Sequence, residues 1–334
     1  MRNIYILWGV LACMAFTSCY EEDTLTPTEG GVELRFKVPQ GNNSWDNDIV
    51  QIYEDYNVYL IYKDLQKEDF NRSWTGIAYG SGYEGQGCIN DEMTNYYVEF
   101  MKKHIFAYLN PPITSKVLPM YWYLGYNVHS KGVLEVGGVI LASWIVPIHE
   151  NYDGLDYWCT CMFGEDNPSE SYLIPTDREI LDRRRKMILG PVLEKAVKAG
   201  NIIIPEEFEV GFDHVTNLIA GLGMEDDPNF YLTRGYPGSV NTYVFSSIST
   251  PDNNSYPPTN EETFIGYMHL SMFYNQARLA EVYPADKYPF LTEKFAFVQK
   301  YLKEKYQIDL EAIANGPEDW DLPLPTIQET PDEE

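Results

Sequence analysis

Apolar residues that recur every three or four positions predict several long helices. The clearest case is residues 176–200, where Ile180, Ile188, Leu189 and further apolar residues follow this spacing. Thr176 and Glu179 have the spacing of a capping box, and Gly200 follows as a stop signal, so we predict one helix over this stretch with a kink at its internal proline. The same periodicity predicts further helices at residues 48–56, 92–109, 212–222, 261–281 and 291–306.

Other stretches have the patterns of strands. Strict alternation predicts a half-exposed strand at residues 32–38, and a continuous apolar run predicts a buried strand at residues 58–62. Two more strands are predicted at residues 117–126 and 133–146, separated by a polar turn at 127–131, with Gly137-Gly138 marking a bulge or bend. A short strand carries Cys159-x-Cys161, whereas the Gly-rich residues 76–87 read as loop. Interspersed helices and strands indicate an α+β fold with a small mixed sheet and several long helices.

The two ends of the chain differ from its middle. Arg2, the apolar residues 4–16 and the small residues before Cys19 resemble a bacterial lipoprotein signal peptide, in which residues 1–18 are removed and Cys19 is acylated. A rival site at Cys13 would leave a very short apolar run. Residues 19–31 then form a tether, residues 32–315 a single domain, and residues 316–334 an acidic, proline-rich tail that we expect to be disordered.

Composition narrows the classes of function. The chain has 334 residues, of which 44% are hydrophobic, which is ample for a packed core. Its formal net charge of −26 repels nucleic acid phosphates, so nucleic-acid binding is excluded and a soluble surface or secreted protein is favoured. Three cysteines follow the predicted anchor: Cys88, Cys159 and Cys161. Because three cysteines cannot all pair in disulfides, we interpret them as small buried residues. A disulfide between Cys88 and one of the other two is the alternative.

Familiar catalytic patterns are missing from the sequence. There is no Gly-x-Ser-x-Gly elbow, and no two of the five histidines lie within five residues of each other. His149 and Asp153 have a spacing that suits two metal ligands on a helix, but they lie in a segment with turn chemistry. The tryptophans could stack against sugar rings, although aromatic residues more often fill cores.

Four passages together resemble a known family. They are residues 49–74, the strand entry at 116–119 that leads to 137–140, the 176–200 helix running into 204–208, and residues 260–264 with 293–310. The chain resembles Bacteroidetes lipoproteins that are zinc-binding metallopeptidases of the HExxH type, encoded beside TonB-dependent nutrient importers. This resemblance implies a zincin-like scaffold, and the acidic residues 21–23 behind Cys19 resemble the family's signal for export to the cell surface.

The resemblance also implies where a zinc site would lie. The HExxH positions correspond to residues 190–194, from Gly190 to Glu194, and no histidine occurs between His149 and His214. Glu262 matches the family's first downstream acid, while Gly266 stands where the third ligand would be. Gly190, Glu194, Glu262 and Gly266 are therefore predicted to line a vestigial cleft, without a metal and without a catalytic residue.

Three hypotheses follow. The first is a surface lipoprotein without zinc, anchored to the outer membrane through Cys19, that assists a TonB-dependent importer in taking up a glycan or peptide. The second is an active zinc metallopeptidase with substitute ligands such as His149, Asp153 or His214. The third is a glycan-binding lipoprotein that uses exposed aromatic side chains.

Overall fold

The computed structural model describes residues 34–72, 82–152, 154–164, 172–221, 223–237, 239–240, 245–246 and 256–327. The described residues belong to two units, which divide between Lys37 and Val38. The predicted signal peptide and tether lie outside the described residues. Residues 34–38 have irregular backbone, so the strand predicted at 32–38 is not found in its described part. None of the helices that are described is long and apolar enough to cross a membrane.

The fold is α+β, as predicted, and it is built on a mixed sheet. Its strands, in chain order, are β1 (Tyr59–Ile61), β2 (Tyr83–Gly87), β3 (Tyr121–Val136), β4 (Val139–Pro147), β5 (Glu150–Asn151) and β6 (Tyr157–Phe163). β3 is the central strand, parallel to β1 and β6 and antiparallel to β2 and β4, and β5 is antiparallel to β6. A separate two-stranded sheet contains β7 (Ser239–Val240) and β8 (Phe245–Ser246). β2 falls in the stretch that was predicted to be loop.

Helices pack around this sheet at most of the predicted places. They are α1 (Ser44–Tyr56), α2 (Asp91–Phe100), α3 (Pro111–Thr114), α4 (Arg178–Lys198), α5 (Glu206–Glu209), α6 (Asn260–Phe273), α7 (Gln276–Val282), α8 (Pro289–Tyr306) and α9 (Leu310–Asn315). α2 continues as a π-helical turn, Met101–Ile105, and a 3-10 turn, Phe106–Tyr108. The helix predicted at 261–281 is two helices, because the Asn275 side chain caps a new helix by accepting from Arg278 N. The helix predicted at 212–222 does not form.

The long hairpin corrects the prediction of two strands separated by a turn at 127–131. β3 runs through these residues without a break, although Asn127 has a positive φ of 51° and lies beside a shift in register. The chain reverses at Gly137 and Gly138, whose φ angles of 62° and 83° suit a two-residue hairpin turn. Turn-forming residues at 127–131 misled the prediction because neighbouring strands on both sides hold that stretch extended.

Helix α4 differs from the prediction in its first residue. The capping residue is Asp177, whose carboxylate accepts from Ile180 N at 2.9 Å, so Thr176 lies outside the helix. The helix continues through Pro191, which has no N–H to donate to the carbonyl of Met187. The Tyr152 hydroxyl donates to that carbonyl at 3.3 Å instead. A side chain from the sheet side of the molecule therefore replaces the helical hydrogen bond that proline removes.

The C-terminal segment packs on the body of the protein. We predicted disorder from residue 316, but residues 316–327 are described, and Trp320, Leu322 and Ile327 contact the core. Asn90 Nδ2 donates to Thr326 O at 2.7 Å, at the start of α2. Three aromatic or aliphatic side chains within the acidic segment explain the difference, because they give it apolar surface to bury.

Candidate functional site

Helices α4 and α6 pack together at the positions that the resemblance assigned to a metal. Gly190 of α4 is buried, and a Cβ atom added there would lie 3.5 Å from His269 Nε2 and 3.6 Å from Met272 Cε, both on α6. His269 Nε2 also lies 3.4 Å from the carbonyl oxygen of Gly190. A Cβ at residue 190 would thus be in ordinary contact with His269, and a longer side chain would have to share this space with the imidazole.

The other three predicted positions lie along the same pair of helices. Gly266 is buried on α6, one helical turn before His269. Glu194 is half-buried and accepts from Lys198 Nζ at 2.6 Å. Glu262 is exposed and accepts from Thr259 N at 2.8 Å, and this backbone bond holds its pKa below the usual value. Both carboxylates thus have local partners, and the reading of these positions as a former ligand set stays a prediction.

The helical pattern of residues 261–281 includes His269 and predicts that it is a partly buried structural residue. Burial lowers the pKa of its imidazole, while the nearby carboxylate of Glu194 acts in the opposite direction. His269 follows Gly266 by three residues, so helical spacing alone places both on one face of α6. That spacing was the available signal that His269 belongs to the predicted site.

The substitute ligands do not gather into a described metal site. His214 Nδ1 lies 2.7 Å from Pro258 O, and the backbone carbonyl of His149 accepts from Cys161 N at 2.7 Å. Asp153 lies outside the described residues. Within the described parts of the chain, no three His, Cys, Asp or Glu side chains are grouped so that they could hold a metal ion.

A buried ion pair lies between the sheet and helix α4, and it was missed from the sequence. Arg184 of α4 has no exposed surface, and its Nη1 lies 3.3 Å from Oε1 of Glu150, whose side chain is only 3% exposed. Arg184 Nη2 also donates to the carbonyl of Cys161 on β6. The 3.3 Å contact lacks hydrogen-bond geometry, since neither Arg184 Nη1 nor Glu150 Oε1 makes a hydrogen bond, and it therefore offsets only part of the several kcal/mol that desolvation costs each ion.

Hydrogen bonds tie Glu150 into the sheet. Thr160 Oγ1 donates to Glu150 Oε2 at 2.7 Å, and Trp122 Nε1 donates to Thr160 Oγ1 at 3.0 Å. Burial raises the pKa of Glu150 to about 7, although Arg184 and the hydroxyls of Thr160 and Tyr152 oppose this rise. The carboxyl group can therefore change protonation near neutral pH, and its side chain is only 3% exposed among the described residues, which suits a structural group better than one that contacts a substrate.

A second arginine on α4 holds another buried polar group. Arg185 Nη1 donates to Asp182 Oδ1 at 2.6 Å and lies 3.1 Å from Nδ1 of His104. The His104 ring stacks on Phe100 and meets the edge of Trp320 at a centroid distance of 4.6 Å. Burial, with a contribution from Arg185, lowers the pKa of His104 to about 3. Neutral His104 is therefore a packing residue that links α2, α4 and the C-terminal segment.

The three cysteines are free thiols, as the preferred interpretation had it. Cys159 and Cys161 are fully buried on β6, and Cys88 is partly buried. Burial raises the pKa of Cys161 to about 12, so its thiol stays protonated.

Comparisons with known proteins give one distant likeness. No family model matches the sequence, and no curated protein matches it. A crystal structure from Bacteroides caccae ATCC 43185, described as "a putative zinc-binding metallo-peptidase", matches with 12% identity over 82% of this chain and 92% of that chain, at a TM-score of 0.38. At this TM-score the likeness does not establish a shared scaffold, and the zincin-like part of the fold prediction stays a prediction.

Proposed function

We propose that this chain is a non-catalytic binding component of an outer-membrane uptake system. It is anchored to the cell surface through Cys19, works beside a TonB-dependent importer, and takes a glycan or a peptide as its ligand. The lipoprotein-like residues 1–18 and the acidic residues 21–23 support the anchoring and the location. The resemblance described above supports the association with an importer.

One observation supports the proposal that the chain is not a catalyst. At the positions where the resemblance expects two histidines and an acid, α4 offers Gly190 and Glu194 and α6 offers Gly266; the two glycines have no side-chain donors, and Glu194 accepts from Lys198 Nζ. The space beside Gly190 is taken by His269 and Met272. A zinc-activated water needs an open coordination position, and a closed helix pair offers little room for one.

Metal content and ligand binding test the proposal together. We expect the purified full chain to contain far less than one equivalent of zinc, measured by mass spectrometry after growth with added zinc. The chain should bind at least one member of an array of glycans and peptides. If the chain bound no member of the array, that result would contradict the binding role.

Histidine variants would reveal a substitute zinc site if the chain has one. Stoichiometric zinc that is lost in His269→Ala or His214→Ala, but kept in His129→Ala, would show a substitute metal site and contradict the proposal. His129 is a suitable control because it lies on β3 and its Nδ1 is 2.8 Å from Asn127 O, away from helices α4 and α6.

A further inference from the structure

The outer part of the β3–β4 hairpin exposes apolar side chains on both of its faces. Among the described residues, nine of the nineteen large hydrophobic residues that are exposed lie within residues 133–146. They are Val133 (51%), Leu134 (48%), Val136 (59%), Val139 (60%), Ile140 (63%), Leu141 (61%), Trp144 (50%), Ile145 (61%) and Val146 (43%). Consecutive residues of a strand point to opposite faces, so exposure of the regularly paired Trp144, Ile145 and Val146 means that neither face is covered. Apolar surface this concentrated marks an interaction site.

Strand β4 also has a free edge. It pairs with β3 from Val139 to Pro147 except at a bulge at Leu141, and among the described residues no strand pairs with its other side. Natural proteins protect such edges with charges, prolines or short strands. Here residues 136–148 contain no charged side chain, and Pro147 lies only at the end of the strand. An uncharged, apolar edge of nine residues is suited to pairing with another strand.

We propose that β4 pairs antiparallel with β4 of a second copy of this chain, with the twofold axis at Ser143. In this register the apolar residues 139–142 lie along the apolar residues 144–147 of the other copy, with the bulge at Leu141 between them, so apolar residues meet across the interface. Ala142 faces Trp144, which places the smallest side chain opposite the largest. The strand is therefore complementary to itself, as a twofold interface requires.

Charge and backbone chemistry favour a second copy over a lipid bilayer. Two copies that each carry a charge of −26 repel each other at long range, but the uncharged residues 136–148 allow the two arms to meet without opposing charges. Insertion of the hairpin into hydrocarbon would leave the N–H and C=O groups of the β4 edge without partners, at a cost of several kcal/mol each. Pairing with a second β4 satisfies these groups and buries apolar side chains as well.

A cysteine cross-link tests the register directly. In the proposed dimer the two copies of residue 143 lie opposite each other, within the range of Cα distances that a disulfide spans. We expect the full chain carrying Ser143→Cys to form a covalent dimer under mild oxidation, seen on a non-reducing gel. The unsubstituted chain is the baseline for its native cysteines.

Val139→Cys is the matched control, because it lies on the same exposed strand. Its two copies would be eight residues apart along the strand, which is about 27 Å. It should therefore not cross-link. Equal cross-linking of both variants would indicate random collision and overturn the proposed register.

The mass of the protein in solution gives a second measurement. We expect a dimer by sedimentation velocity, and Leu141→Lys should weaken its association by more than about tenfold, since it places a charge in the apolar interface. Val215→Lys, at a residue that is 85% exposed outside the hairpin, should leave the dimer intact. A monomer at all concentrations would overturn the proposal. Binding of such a monomer to phosphatidylcholine vesicles, lost in Leu141→Lys, would assign the hairpin to lipid instead.

Discussion

The two halves of strand β3 have similar sequences and opposite surroundings. Residues Tyr121 to Tyr126 are buried between β1 and β6 and contribute Trp122 to the core. Val133, Leu134 and Val136 belong to the same strand, but they are about half exposed, because only β4 lies beside them. The difference shows that apolar character predicts a strand, whereas the neighbouring strands decide whether its faces are buried.

The largest contrast between the two halves should come from removing a tryptophan from each. Trp122→Ala removes a fully buried ring and leaves Thr160 without its donor, and we expect a loss of about 3 to 5 kcal/mol in the free energy of unfolding. Trp144→Ala, on the exposed hairpin, should change the monomer's stability by no more than about 0.5 kcal/mol. Denaturant unfolding at low protein concentration measures both. Similar losses in the two variants would mean that the hairpin is not exposed.

A smaller loss in the free energy of unfolding is expected when the ion pair of Arg184 and Glu150, which supports the buried half of β3, is broken. Arg184→Leu leaves the carboxylate of Glu150 buried without its partner, which typically costs about 3 kcal/mol or more. Glu150 can limit this cost by taking up a proton, because its pKa is already raised to about 7. The double variant Arg184→Leu with Glu150→Leu should recover part of the loss in denaturant unfolding. A double variant less stable than Arg184→Leu alone would show that Glu150 stabilises the fold by its other hydrogen bonds.

A pH-dependent change in stability of similar size is expected from Glu150. An unfolded glutamate titrates near about 4.3, but burial raises the pKa of Glu150 to about 7 in the folded protein. Between these values the folded state holds the proton and the unfolded state does not, so the free energy of unfolding falls as pH rises through this window and is level above it. The difference between the natural protein and Glu150→Gln should therefore change by on the order of 3 kcal/mol between pH 4 and pH 7, since one pKa unit between the two states corresponds to about 1.4 kcal/mol.

Glu84, at the base of the hairpin, should change the free energy of unfolding with pH in the opposite direction. The nearby ammonium groups of Lys131 and Lys67 lower its pKa to about 2, so its contribution is present above about pH 4 and is lost as pH falls further. Glu84→Gln should remove a small stability change below pH 4 and leave the window from pH 4 to 7 unaffected. A pH dependence of Glu150→Gln that matches Glu84→Gln would contradict the raised pKa of Glu150.

Local patterns predicted most of the secondary structure, but not the contacts between distant segments. Helical periodicity placed α1, α2, α4 and α8 close to their observed ends, since one buried face is enough to reveal a helix. The turn of the hairpin was predicted at residues 127–131, which was wrong, although Gly137-Gly138 between two apolar runs is the stronger hairpin signal. Strand β2 was missed because its sequence, with two glycines in five residues, has no apolar alternation and its pairing with β3 is decided elsewhere in the chain.

The candidate site on α4 and α6 came from the resemblance and stays a prediction. His269, which packs beside Gly190, could have been added by its spacing from Gly266. The pair of Arg184 and Glu150 could not have been found in this way. The two residues are 34 positions apart, and nothing in either local sequence shows that their side chains meet beneath α4.

The position of Trp320 over His104 has a consequence for loss of the C-terminal segment. While residues 316–327 are undocked, the rings of Phe100 and His104 lack the indole that meets them. Docking of this segment therefore completes the packing beside α2. A chain cut short before Gly316 would carry an uncovered apolar patch beside α2, which quality-control proteases and chaperones recognise.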